Sequence, residues 1–176
     1  SSSSDNTCYA YDRSARRYNV VDCVKSRMQV AQEAVNGLID STDDIEFGLA
    51  RFGGGQSGYI VLGIGAETDK AKLKSIVNGL PASGATPLMD SAFEIYRYLS
   101  GGSLYEADDF SDRDTSIDNG SSYESPFSRS SDGTLRCENN AYVIFMTDGD
   151  PTSGTDATSF IQSLTGSSLS STEGLL

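Results

Sequence analysis

The stretch Asn140-Ala141-Tyr142-Val143-Ile144-Phe145-Met146-Thr147-Asp148-Gly149-Asp150-Pro151 sets an uncharged run of β-branched and aromatic residues directly before an acidic turn. Such a run reads as a buried parallel strand, because a strand covered on both faces has no polar side to show. Asp148 then falls just past the strand's carboxyl end, the edge at which open α/β sheets collect their ligands. A second loop, Gly84-Ala85-Thr86-Pro87-Leu88, leads into a helix, since proline at the first helical position has no N–H to leave unsatisfied. From there Thr86 can reach the same edge.

Around these two loops the pattern alternates helix and strand. Residues 22–39 carry Val24, Met28, Ala31, Val35 and Leu38 on one helical face, with Asp22 placed to cap it. Ile45, Phe47 and Leu49 alternate as a strand does, Gly53-Gly54-Gly55 turns the chain, and residues 59–64 form the next strand. Asp69 caps a helix whose apolar face is Leu73, Ile76, Val77 and Leu80. The helix over 87–99 is expected to bury Leu88, Ala92, Ile95 and Leu99 and to leave Asp90, Glu94 and Arg97 in water, ending at Gly101-Gly102. Then comes a long acidic insertion at about 101–139, where Asp108, Asp109, Asp112, Asp114 and Asp118 are interleaved with Tyr105, Tyr123 and Phe127. Loops of this length are usually functional or disordered. Phe160, Ile161 and Leu164 mark a last amphipathic helix.

The formal charge of −12 disfavours nucleic acid, whose phosphates need a Lys/Arg surface, and favours cations and basic partners. Absence of histidine rules out Ser-His-Asp and Cys-His machinery and His-ligated zinc within this chain. No apolar stretch is long enough to span a bilayer. The three cysteines, Cys8, Cys23 and Cys137, sit in polar contexts that suit disulfides in an oxidising compartment. Cys8 and Cys23 flank one short segment, which would leave Cys137 for a partner outside the chain; three free thiols are the alternative. The 176 residues fit a single domain with a proper core.

The order of elements, with Ala85-Thr86-Pro87-Leu88 at a helix start and Thr147-Asp148-Gly149 after a hydrophobic run, resembles a von Willebrand factor A domain over residues of about 22–160. The resemblance implies an α/β fold, a doubly wound and mostly parallel sheet flanked by helices. It also implies a metal-ion-dependent adhesion site in which Thr86 and Asp148 bind Mg²⁺ or Mn²⁺, with Ca²⁺ a further candidate; hard oxygen donors suit such ions. Further runs, Gly79-Leu80-Pro81-Ala82-Ser83-Gly84, Tyr96-Arg97-Tyr98-Leu99 and Tyr123-Glu124-Ser125-Pro126, with Cys137 after the acidic insertion, are similar to the A domain of type IV pilus tip adhesins, the PilC/PilY family. That likeness implies a bacterial protein exported through the periplasm to the pilus tip or outer cell surface. Its partners would be minor pilins and a host or surface receptor, and its work pilus assembly and attachment.

One departure stands out. The family's first strand ends in Asp-x-Ser-x-Ser, which supplies two serine ligands, and no such motif precedes residue 22. Residues 1–176 therefore read as one partial A domain lacking its first and last strands, pieces expected in the parent protein, and metal affinity of this chain alone is expected to suffer. The family usually carries a separate β-propeller, and none falls within these residues. The spacing Asp112-x-Asp114-x-x-x-Asp118 shares part of a calcium loop but lacks its glycine and its bidentate glutamate, so a solvated loop is expected there. A non-enzymatic adhesion module is the leading expectation. Alternatives are a structural or mechanosensing pilus module and an A domain of another surface adhesin. An enzyme of metal-assisted hydrolysis ranks last, because no nucleophile is paired with a base.

Overall fold

A computed structural model of the chain describes residues 8–21, 25–55, 57–127, 140–147 and 157–166. The chain opens with a β-hairpin, β1 (Cys8–Asp12) and β2 (Arg17–Val21), paired antiparallel with Tyr11 opposite Tyr18. Its turn is tied by the Asp12 carboxylate, which accepts from the Ser14 N–H (2.9 Å), the Ser14 hydroxyl (2.6 Å) and the Ala15 N–H (3.1 Å). Helix α1 (Arg27–Ser41) follows. Its N-cap is Ser26, four residues beyond the position expected from Asp22, which lies outside the described residues. The reason is a capping box: Ser26 accepts from the Gln29 N–H, and the Gln29 side chain accepts from the Ser26 N–H.

Strands β3 (Leu49–Phe52) and β4 (Gly58–Leu62) form the second hairpin. Five residues join them, too few for the crossover that parallel strands need. The expected doubly wound parallel sheet is thereby corrected: the described residues hold two separate two-stranded antiparallel sheets and four α-helices. The strand expected to start at Ile45 begins at Leu49, and Ile45 is exposed. The run at 140–147, expected as a buried strand, joins no sheet among the described residues, and Tyr142 is 90 % exposed.

Helices cover the β3–β4 hairpin. Helix α2 (Lys70–Gly79) is capped by Asp69 as expected, its carboxylate accepting from the Ala71 and Lys72 N–H groups. Leu73 and Val77 of α2 meet Ile39 of α1, and Phe47, Leu49 and Leu62 close this small core. Gln32 of α1 donates to the Val77 and Asn78 carbonyls, satisfying acceptors that the end of α2 leaves open. Helix α3 (Leu88–Ser100) packs on β3 and β4 and builds the larger core, where Tyr59, Ile60, Tyr98, Ala107 and Tyr123 are buried together. It ends on Gly101 at φ +71, a left-handed cap that glycine takes without Cβ strain. Helix α4 (Thr158–Thr165) lies against α3 through Phe160, stacked on Phe93 at 5.4 Å.

The acidic insertion is packed over its described part, residues 101–127. Two 3₁₀ turns, Ala107–Asp109 and Thr115–Ile117, carry it across β4. Phe110 stacks on Tyr59 at 4.2 Å between ring centres, and Tyr105 meets Phe93 edge-on at 5.1 Å. Tyr123 and Phe110 of the insertion therefore join the core, with Tyr105 packed at its edge.

Candidate functional site

The loop 81–87 brings Thr86 to the start of α3. Gly84 makes this approach, at φ +119, with its α-carbon so near the Gly53 carbonyl that a Cβ would lie 2.8 Å from that oxygen. Only glycine fits such a contact without strain. Pro87, buried, holds the N-cap position and offers no side-chain acceptor there. Thr86, one residue earlier, is half-buried, and its carbonyl accepts the Leu88 N–H at 3.0 Å. Its hydroxyl is therefore not at the usual capping position. Asp148, the second predicted metal ligand, lies outside the described residues, as do Cys23 and Cys137. Cys8 begins β1 in register with Val21.

Two carboxylates that the sequence reading placed in water lie further along α3. Asp90 and Glu94, one turn apart on α3, are fully buried, where their charge assigned them to solvent. Asp90 lies in the first turn of α3, where a negative charge meets the positive end of the helix dipole. It accepts the Ala157 N–H at 2.7 Å and so fixes the start of α4 against the start of α3. Glu94 accepts three hydrogen bonds, from the Tyr123 hydroxyl (2.6 Å), the Glu106 N–H (2.9 Å) and the Tyr105 N–H (3.2 Å). The available signal was positional: Asp90 and Glu94 share a stripe with Pro87, Ser91 and Tyr98, which are also buried.

Around them three aspartates of the insertion, Asp112, Asp114 and Asp118, bond to other residues of the protein. Tyr59 donates to Asp112 at 2.7 Å; burial, then this carboxylate, push the Tyr59 phenol up to about 12. Burial and the Glu94 carboxylate push the Tyr123 phenol up as well. Asp114 accepts the Gly63 N–H at 2.8 Å and the Ser116 hydroxyl at 2.6 Å. Burial alone would raise its pKa, but these bonds outweigh burial and hold it below the usual carboxylate value. Arg113 pairs with the buried carboxylate of Asp118. The three aspartates of the partial calcium spacing thus have separate partners, and among the described residues no three metal-ligating side chains converge. Where a solvated loop was expected, residues 111–112, 115–116 and 119–120 are exposed, while the three carboxylates bond to other residues. A cleft of about 270 Å³ lies beside the insertion, lined by Glu46, Ile64, Tyr98, Ser116 and Glu124, apart from the loop that bears Thr86.

No family model, no characterised protein and no solved structure matches the chain. No helix of the described residues is long and apolar enough to cross a membrane.

Proposed function

We propose that the chain is a non-enzymatic adhesion module of a type IV pilus tip-associated protein, displayed on the bacterial surface after export through the periplasm. The observation that carries this reading is the order and spacing of Ala85-Thr86-Pro87-Leu88 and Thr147-Asp148-Gly149. Thr86 lies at a half-exposed entry to α3, while that helix's own carboxylates, Asp90 and Glu94, are bonded inside.

The Thr86 hydroxyl and the Asp148 carboxylate are hard oxygen donors, the type that Mg²⁺, Mn²⁺ or Ca²⁺ takes. Two donors leave most of such an ion's coordination sphere to water and to a partner. A bound ion would supply a positive centre for a carboxylate or other oxygen of a minor pilin or surface receptor.

Calorimetric titration of Mg²⁺ and Mn²⁺ into the chain, beside Thr86→Ala and Asp148→Ala, tests the reading. Saturable one-site binding lost in both variants is the expected result. Binding indifferent to both substitutions, or no binding at all, removes these residues from any metal site.

A further inference from the structure

We infer that the β1–β2 hairpin is a docking surface for a carboxylated polysaccharide, a partner it engages without a metal. The hairpin's turn concentrates positive charge on a chain whose formal charge is −12. Arg13, Arg16 and Arg17 fall within five residues, all exposed, and none forms an ion pair among the described residues. Among the described residues of the hairpin the acid beside them is Asp12, opposite Arg17 in the strand register, and its carboxylate accepts from the backbone and hydroxyl of Ser14 and from Ala15. Flanking the turn, Tyr11 and Tyr18 face each other across the strands, ring centres 5.0 Å apart, yet remain 51 % and 69 % exposed. No other described element packs substantially on either strand.

Exposed tyrosines beside unpaired guanidinium groups point to a ligand with flat apolar faces and spaced anions. Guanidinium forks match carboxylates in a bidentate geometry, and an aromatic face attracts the C–H side of a pyranose ring. The charge of the whole chain selects between polyanions. Duplex nucleic acid carries a charge every ~1.7 Å and would be strongly repelled by the acidic body. A polymer with one carboxylate per sugar meets the arginines with less of that penalty. A second copy of the chain brings another −12 and is disfavoured for the same reason.

The test passes the full chain over immobilised polygalacturonate in buffer containing EDTA. Beside it run Arg13→Gln/Arg16→Asn/Arg17→Gln, in which asparagine suits the positive φ of residue 16, and Tyr11→Ser/Tyr18→Ser. The expected result is binding that weakens with salt and falls by about tenfold or more in each variant, with circular dichroism unchanged in the arginine variant. Fully methyl-esterified polygalacturonate, with the same sugars and no charge, should bind as weakly as the arginine variant does. The inference is overturned by no binding, by binding that the arginine variant retains, by equal binding of the ester, or by tighter binding of duplex DNA. Binding that appears only with Mg²⁺ and vanishes in Thr86→Ala would belong to the metal site and would also overturn it. Failure of the metal titration leaves this result untouched, so the two readings fail separately.

Discussion

Residues 101–127 are rich in Asp, Ser and Gly, yet they place Ala107 and Tyr123 in the core; residues 141–147 carry no charge and five large apolar side chains, yet Tyr142 and Ile144 are 90 % and 67 % exposed. The difference lies in what the backbone and polar groups find. The acidic stretch finds partners where it crosses the core: Glu94 takes two of its N–H groups and the Tyr123 hydroxyl, Asp114 takes Gly63, and the Asp114 N–H donates to the Ile60 carbonyl at 2.8 Å. With those groups satisfied, its aromatic rings can be buried at little polar cost. The apolar stretch has no ladder among the described residues, and burying a strand-like segment without one would strand its N–H and C=O groups. Hydropathy says what a segment gains by burial; hydrogen-bond partners decide whether it can be buried.

Cutting the polar anchor of the first region should have the largest effect. Glu94→Leu leaves the Tyr105 and Glu106 N–H groups and the Tyr123 hydroxyl without their acceptor and should cost about 3–5 kcal/mol in urea unfolding. A loss under about 1 kcal/mol would mean that the insertion is held by its rings alone.

A pH effect comes next. Tyr59 has a folded pKa of about 12, raised by burial and by Asp112, against an ordinary value of 10.0. A raised value means that the unfolded chain loses the proton first, so the stability tied to this phenol is present below pH 10 and is lost as pH rises to about 12. Two pKa units correspond to about 2–3 kcal/mol. Unfolding free energies measured across that window should fall less steeply in Tyr59→Phe, while Tyr123, also raised, keeps its own share of the slope.

Gly84→Ala tests the loop that carries Thr86. A Cβ at φ +119, lying 2.8 Å from the Gly53 carbonyl, should cost about 1–3 kcal/mol and shift Thr86. Thermal unfolding measures the cost, and a variant as stable as the parent would show that the loop stands clear of the hairpin.

Local signals were legible where they agreed with one another. Asp69 and the apolar spacing of Leu73 and Val77 marked the start and the buried face of α2, because cap and face point the same way, while Leu80, read as part of that face, is the residue just past the helix. Pro87 and Gly101 bracketed α3, but Asp90 and Glu94 were placed in water, since no local pattern reveals that Ala157 and Tyr123 will arrive to bond them. The antiparallel hairpin was readable from the short Gly53-Gly54-Gly55 connection, and the pull of the larger alternating pattern overrode it. Of the candidate site, the setting of Thr86 before a helix was legible, whereas the capping box that starts α1 at Ser26 was passed over for Asp22.

The smallest expected effect bears most directly on the contrast between the two regions. Ile144→Asp puts a charge where hydropathy would place a core residue. If residue 144 lies as open as its 67 % exposure indicates, the substitution should change unfolding free energy by no more than about 0.5 kcal/mol, as surface changes do. An aspartate forced into an apolar core without a partner would cost several kcal/mol. The two outcomes are separated by far more than the error of a denaturation curve. A large loss would place the 141–147 run in a packed interior and restore hydropathy as the deciding term. A negligible one would leave partner supply as the reason the acidic stretch can place Ala107 and Tyr123 in the core while the apolar one stays exposed.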